Sequence, residues 1–172
     1  MVKGKRYNTW EMQAGQGRHV GVSARVKSKA ADEVVIEAEN RSEIKPEGKD
    51  YLPVTVEKCQ LRFARLGNDA YVLDITIEEL PAEGIDVEVV KYRYSGFSWR
   101  GIKAWNKDNS HMATDSGHNR DNANGELTRW FAVAGAAESG KATMLMMSAA
   151  AKNGGTPERA RVWNSKTFHG TP

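Results

Sequence analysis

Residues 71–78 read Tyr-Val-Leu-Asp-Ile-Thr-Ile-Glu, and residues 20–27 read Val-Gly-Val-Ser-Ala-Arg-Val-Lys. In both stretches every second residue is apolar. A period of two puts alternate side chains on opposite faces of an extended chain. Val34, Ile36 and Ala38 repeat the pattern against Val35, Glu37 and Glu39, as do Ile85, Val87 and Val89 against Asp86, Glu88 and Val90. Each run reads as a strand with one face buried and one wet. A wet face favours an antiparallel sheet, because parallel sheets are covered on both sides. Between Val54 and Phe63 the apolar phase shifts from even to odd positions, which places a β-bulge near Glu57-Lys58.

Turn signals punctuate these runs at Lys45-Pro46-Glu47-Gly48, Gly67-Asn68-Asp69 and Pro81-Ala82-Glu83-Gly84. Further strands are expected at Arg129–Ala134, Ala142–Ser148 and Arg161–Trp163. A competing helical reading exists only from Met144 through Ala149-Ala150-Ala151. Short strands at this spacing, with no helical period between them, point to an all-β protein: a mostly antiparallel β-sandwich forming a single domain over 1–172.

The bulk numbers exclude several classes. The chain has 172 residues, 27% charged and 40% hydrophobic, so it is globular rather than disordered. Its 25 basic and 22 acidic residues leave a net charge of +3, and the two signs are interleaved. No nucleic-acid partner is expected from such a balance. No apolar run reaches membrane-spanning length, and Met1–Trp10 lacks the apolar core of a signal peptide. Cys59 is the single cysteine, so no intrachain disulfide forms, which leans toward a reducing compartment. Its place on an apolar strand face reads as inert core.

The segment from Tyr94 to Trp130 is different in kind. It carries three tryptophans, His111 and His118, and many Asn, Asp and Arg side chains. A long polar segment on a β scaffold is where function concentrates. Trp105 beside Asn106, Asn109, Arg100, Arg120 and Arg129 suits a polyhydroxylated ligand: an indole stacks on a sugar's C–H face while amides and guanidinium groups bind its hydroxyls. Trp130, inside the apolar run Trp130-Phe131-Ala132-Val133, reads as a core anchor. His111 and His118, with Asp115 and Asp121, are the candidates for acid–base work, since histidine titrates near neutral pH. No tight ligand pair marks a metal site, and an EF-hand reading starting at Asn119 fails at Ala123 and Asn124. Gly135–Ala142 spells G-x-x-x-x-G-K-A, one hydroxyl short of a phosphate-binding loop. The competing reading of that stretch is a hairpin turn at Glu138-Ser139-Gly140-Lys141.

Tyr94–Arg100, Trp105–Ser110, Ser116-Gly117, Arg120-Asp121, Gly125, Arg129-Trp130, Pro157–Arg159 and Arg161–Trp163 together resemble the PmoA-like family, which carries the label methane oxygenase PmoA. A particulate methane monooxygenase subunit spans a membrane, and this chain has no run for that. The resemblance implies instead a soluble, galactose-mutarotase-like supersandwich associated with bacterial carbohydrate metabolism. Members are longer, with a His-rich stretch upstream, so the resemblance implies that this chain is an internal piece, incomplete at both ends. The family's H-P-x-N is replaced here by Ser148–Asn153, and its T-S-E-G by Thr114-Asp115-Ser116-Gly117.

The reading is then a carbohydrate-like ligand held on a concave face by Arg100, Trp105, Asn106, Asn109, Arg120 and Arg129. As an enzyme, the chain would use Asp115 or Asp121 as acid or base and His111 or His118 as proton shuttle. The alternatives are a non-catalytic binding or structural module, and a nucleotide-binding protein through Gly135–Ala142. No cofactor is named by these residues, no membrane partner is expected, and the oligomeric state is open.

Overall fold

The computed structural model describes residues 2, 4–9, 12–88, 98–138, 140–148, 158–162 and 168–170. Every strand pair among them is antiparallel, and the only helical turn is a short 3-10 segment at Met12–Ala14. The all-β, antiparallel expectation holds. The chain divides into two compact units, Met1–Val90 and Lys91–Pro172.

The first unit is a meander of four long strands, β1 (Gly17–Lys29), β2 (Glu33–Ile44), β3 (Leu52–Leu66) and β4 (Ala70–Pro81), hydrogen-bonded in that order. Alternation sorts the side chains, apart from register shifts in β1 between Gly21 and Ser23 and between Val26 and Ser28 that set Val20 on the face opposite to Ala24 and Val26. Val26, Ile36, Leu61 and Ile75 form one rung, and Ala24, Ala38, Cys59 and Ile77 form another on the same face. The opposite face is laced with ion pairs. Glu37 meets Arg25 at 2.8 Å and Lys27 at 2.6 Å; Arg62 bridges Glu33 and Asp74, both at 2.7 Å. Such exposed pairs contribute little each, but they identify the wet side. Glu43 is buried between Arg18 and Arg41 at 2.6 and 2.7 Å. The Arg18 hydrogen bond holds its carboxyl below the usual range, against the opposing effect of burial.

The turns fall where the sequence placed them, with Gly48, Gly67 and Gly84 at positive φ, a conformation glycine adopts without penalty. Two expectations need correction. β3 runs unbroken through Glu57 and Lys58, which pair with Asn40 and Glu39; the register shift lies between Ser42 and Glu43, opposite Val54. Val54 is the extra residue, buried with Val2 and Ile44, and Val56 falls on the wet face. The run Ile85–Val89 forms no strand among the described residues; Val87 makes a single bridge to Val2.

The second unit is built from shorter pieces: β5 (Ser98–Arg100), β6 (Ser110–Thr114), β7 (Leu127–Thr128), β8 (Trp130–Ala137), β9 (Gly140–Met147), β10 (Glu158–Arg159), β11 (Arg161–Val162) and β12 (Phe168–Gly170). They form three sheets, ordered β6-β8-β9, β11-β12-β5 and β10-β7. Met144–Met147 is strand, not helix; Ala149–Ala151, like Trp163, lie outside the described residues. The core gathers Trp105, Met112, Ala123, Phe131, Val133, Met146, Ala160 and Val162. β8 and β9 close as a hairpin, Ala137 facing Gly140. Gly135–Ala142 is therefore two strands and a turn. A phosphate-binding loop needs a helix after it, so the nucleotide-binding reading loses its structural basis.

Candidate functional site

The sheet β6-β8-β9 has two unlike faces. Inward go Ser110, Met112 and Thr114 from β6, Phe131 and Val133 from β8, and Met146 from β9, all buried. Outward go His111, Ala134 and Thr143 in one rung, Ala113, Ala132 and Leu145 in the next, and Trp130 with Met147 beyond. The outer face thus has a floor of three alanines, with the half-buried Trp130 indole at one end and His111 two rungs away. Leu145 and Met147 are 52% and 68% exposed.

At the Trp130 end, β6 turns back through Thr114–His118. The Thr114 amide donates to the His118 carbonyl at 3.1 Å, and the His118 amide to Thr114 Oγ1 at 3.0 Å. Ser116 Oγ lies 2.8 Å from His118 Nδ1 and 3.1 Å from Thr114 Oγ1. This is a closed local ring of hydrogen bonds. Asp115 faces away from it: its Oδ1 accepts from the Thr128 hydroxyl at 2.5 Å and the Arg129 amide at 3.1 Å, while Arg129 Nε stands 3.7 Å from Oδ2. The Thr128 hydroxyl, then the Arg129 amide and guanidinium, hold the Asp115 carboxyl below its usual range. Asp115 is a fixed anion that ties β7 and β8 to the turn, so it is poorly suited to donate a proton near neutral pH. Among the described residues, the Ser116–His118 contact has no such carboxylate behind it and makes no triad.

The nominated residues scatter by role. His111 is exposed on the outer face and His118 half-buried in the turn. Along an extended chain the four residues from His111 to Asp115 span roughly 13 Å, too far for one to orient the other. Trp105, nominated as a sugar platform, is a core side chain. It is 4% exposed, its Nε1 donates to the Ala136 carbonyl at 2.6 Å, and Trp99 meets it edge-on at 6.1 Å. Arg120 is also buried, donating to Ser110 Oγ at 2.6 Å, and burial pulls its pKa down. Asn106 and Asn109 shape the loop. Asn109 Oδ1 accepts the Asn106 amide, Asn109 Nδ2 donates to Ala104 O, and Asn106 Oδ1 accepts the Asp108 amide; these are the side-chain turns such residues favour. Asp121 is exposed in the next turn, its amide bound by Asn119 Oδ1. Arg129 is exposed beside Trp130. Arg100 sits opposite Phe168 in β5, and its side chain lies outside the described residues.

Trp130 is the residue that the sequence reading misplaced: it points outward while Phe131 and Val133 fill the core. The signal was present in the sequence, since Trp130 shares its phase with Ala132, Ala134 and Ala136, while Phe131 and Val133 take the other. Among the described residues, no three His, Cys, Asp or Glu side chains gather as a metal-binding group, and no helix is long and apolar enough to cross a membrane. In the first unit a cavity of about 230 Å³ is lined by Lys5, Arg6, Tyr7, Gln16, Lys45 and Glu47. It includes none of the nominated residues.

Residues 2–170 match a family described as a family of unknown function, DUF6807. The chain belongs to that family. This corrects the PmoA-like resemblance: nothing in the match points to PmoA or to methane oxygenase, and the inference of a galactose-mutarotase-like supersandwich loses its basis. No curated protein and no solved structure matches the DUF6807 chain.

Proposed function

We propose that the chain is a binding module that takes a polyhydroxylated, sugar-like ligand on the outer face of β6-β8-β9 without transforming it. The observation that carries this reading is the orientation of Trp130. Its indole lies half-buried on a surface otherwise floored by Ala113, Ala132 and Ala134. Small side chains on β6 and β8 keep the floor low there, so a flat ring laid on them meets the indole, with the exposed Leu145 and Met147 along its β9 side. His111, Thr143 and Arg129 supply donors and acceptors at its margin, the arrangement of an apolar platform with a few polar groups that binding sites favour.

Binding is preferred to catalysis because His111 and Asp115 are held apart. His111 lies on β6 and Asp115 in the turn beyond its end, and Asp115 is already committed to Thr128 and Arg129. The test is a glycan array probed with labelled wild type and Trp130→Ala. Saturable binding to one glycan class, lost in Trp130→Ala with the fold intact by circular dichroism, supports the reading. Binding that ignores Trp130, or release of a modified sugar, defeats it.

A further inference from the structure

Among the described residues of the first unit, none covers one wide, largely apolar face of the four-stranded sheet β1-β2-β3-β4. Ion pairs occupy the opposite face, so this is the side whose pattern calls for burial. Yet Val26, Phe63, Tyr71, Leu73 and Ile77 are 60%, 42%, 73%, 47% and 48% exposed. Val34, Ile36, Leu61 and Ile75 fill the spaces between them, half-buried. At roughly 150–220 Å² for a whole large side chain, those five alone leave on the order of 500 Å² of apolar surface in water. Isolated patches of that size mark interaction sites.

Within the strands, the charges on this face separate by sign. Glu57 and Glu79 pair across β3 and β4 at one end of the apolar patch. Lys29 and Arg65 stand at the other end, where Lys29 pairs with Val34 and Arg65 with Tyr71. Glu57 and Arg65 are eight residues apart on one strand, about 26 Å.

We propose that this face is a homodimer interface, two copies stacking face to face as a sandwich about 10 Å thick. A two-fold axis lying in the interface across the strands sets the acidic end of each copy over the basic end of the other. The surface is thereby self-complementary, as an isologous contact requires. An axis along the strands would stack acid on acid. Two copies bury roughly 1,000 Å² from the five most exposed side chains alone, the level at which specific interfaces begin. The half-buried residues and the charged rims add to that.

Sedimentation velocity of the full chain from 1 to 100 µM tests the interface. The expected species has about twice the 19.0 kDa chain mass, and Leu73→Arg converts it to monomer. Because Leu73→Arg also risks the fold, a charge swap at the rim provides the second arm. Glu79→Lys is expected to weaken the dimer by at least about tenfold, and Glu79→Lys with Arg65→Glu to restore it to within about threefold. A wild type that stays monomeric throughout, a dimer indifferent to Leu73→Arg, or a double variant no tighter than Glu79→Lys overturns the proposal.

Discussion

Replacing Gly135 with alanine adds one methyl group, and the structure says that it has nowhere to go. A Cβ there would sit 2.6 Å from Trp105 Cε2, 2.8 Å from Nε1 and 3.0 Å from Cδ2. Carbon atoms rest about 3.5–4.0 Å apart, so the indole must retreat by about 1 Å. Trp105 cannot retreat freely. Its Nε1 is held by the Ala136 carbonyl, one residue along the same strand, and its ring meets Trp99 edge-on. Overpacking costs about 1–3 kcal/mol, and losing a buried hydrogen bond costs about 1–3 kcal/mol more. The two overlap, so Gly135→Ala is expected to destabilise the second unit by about 2–4 kcal/mol. In a strand with ordinary φ the same change would otherwise stabilise by about 0.4–1 kcal/mol through the unfolded state, which makes the sign itself diagnostic. Urea unfolding followed by tryptophan fluorescence at constant m-value reads the change. For a chain of this length a fall of about 5–15 °C in Tm should accompany it. A cycle with Trp105→Leu separates the clash from everything else: with the indole gone, the added methyl should cost less than about 1 kcal/mol. A Gly135→Ala protein within about 0.5 kcal/mol of wild type, or an equal cost in both backgrounds, would refute the packing argument.

The two tryptophans should answer to truncation differently: Trp105→Ala is expected to cost about 3–5 kcal/mol, and Trp130→Ala about 1 kcal/mol while abolishing glycan binding, compared by urea midpoint and array signal. Glu43 has a folded pKa below its unfolded one because Arg18 and Arg41 pair with it. Its contribution is therefore complete above the unfolded value of about 4.3 and disappears as pH falls through the lower, folded value. Glu43→Gln should cost about 1–3 kcal/mol at pH 7 and flatten the acid limb of a stability profile measured from pH 7 to 2. Asp115→Asn should loosen the Thr114–His118 turn, seen as faster amide exchange at His118 and Arg129, with no loss of glycan binding. Cys59, whose thiol is pushed up first by burial and then by Glu57, should react with iodoacetamide at pH 8 at least about tenfold more slowly than a free thiol.

How much of this could be read from the chain depended on how local the cause was. β1 to β4 are visible because stretches of each obey period two within strands of 12 to 15 residues, and glycine or proline punctuates the turns after β2, β3 and β4. The bulge was misplaced because Val54 and Val56 look alike in sequence, and only the pairing of Ser42 and Glu43 distinguishes the extra residue, Val54, from the wet-face residue, Val56. Strands of two or three residues, such as β7 and β10, carry no periodic signal. They exist because partners such as Gly125 and Ala160 meet across the fold at 2.8 Å. Trp105 shows the same limit at the site. Its neighbours Ala104 and Asn106 are exposed, and nothing nearby marks it as core. It is buried because Gly135, thirty residues later, leaves a space that only a missing side chain can leave.

The same rule of alternation yields two surfaces with opposite chemistry, and the residue sizes explain why they serve different ligands. On β1 to β4 the apolar phase is filled by Val, Ile, Leu and Phe, with the Tyr71 hydroxyl toward its basic end. Such a surface offers area and few directional bonds, which suits another broad apolar surface and discriminates poorly among small molecules. On β6-β8-β9 the outer phase is alanine, one indole and a margin of His111, Thr143 and Arg129. That surface offers little area beyond Leu145 and Met147 but fixes orientation, as a small polar ligand requires. Exchanging the alanines for bulk tests that distinction. Ala132→Ile fills the floor without touching the core phase of Phe131 and Val133, and β-branched residues are favoured in strands. It should leave stability within about 0.5 kcal/mol while weakening glycan binding at least about tenfold by steric exclusion, and should leave self-association unchanged. If Ala132→Ile binds glycans as tightly as wild type, the alanine floor is not where the ligand lies.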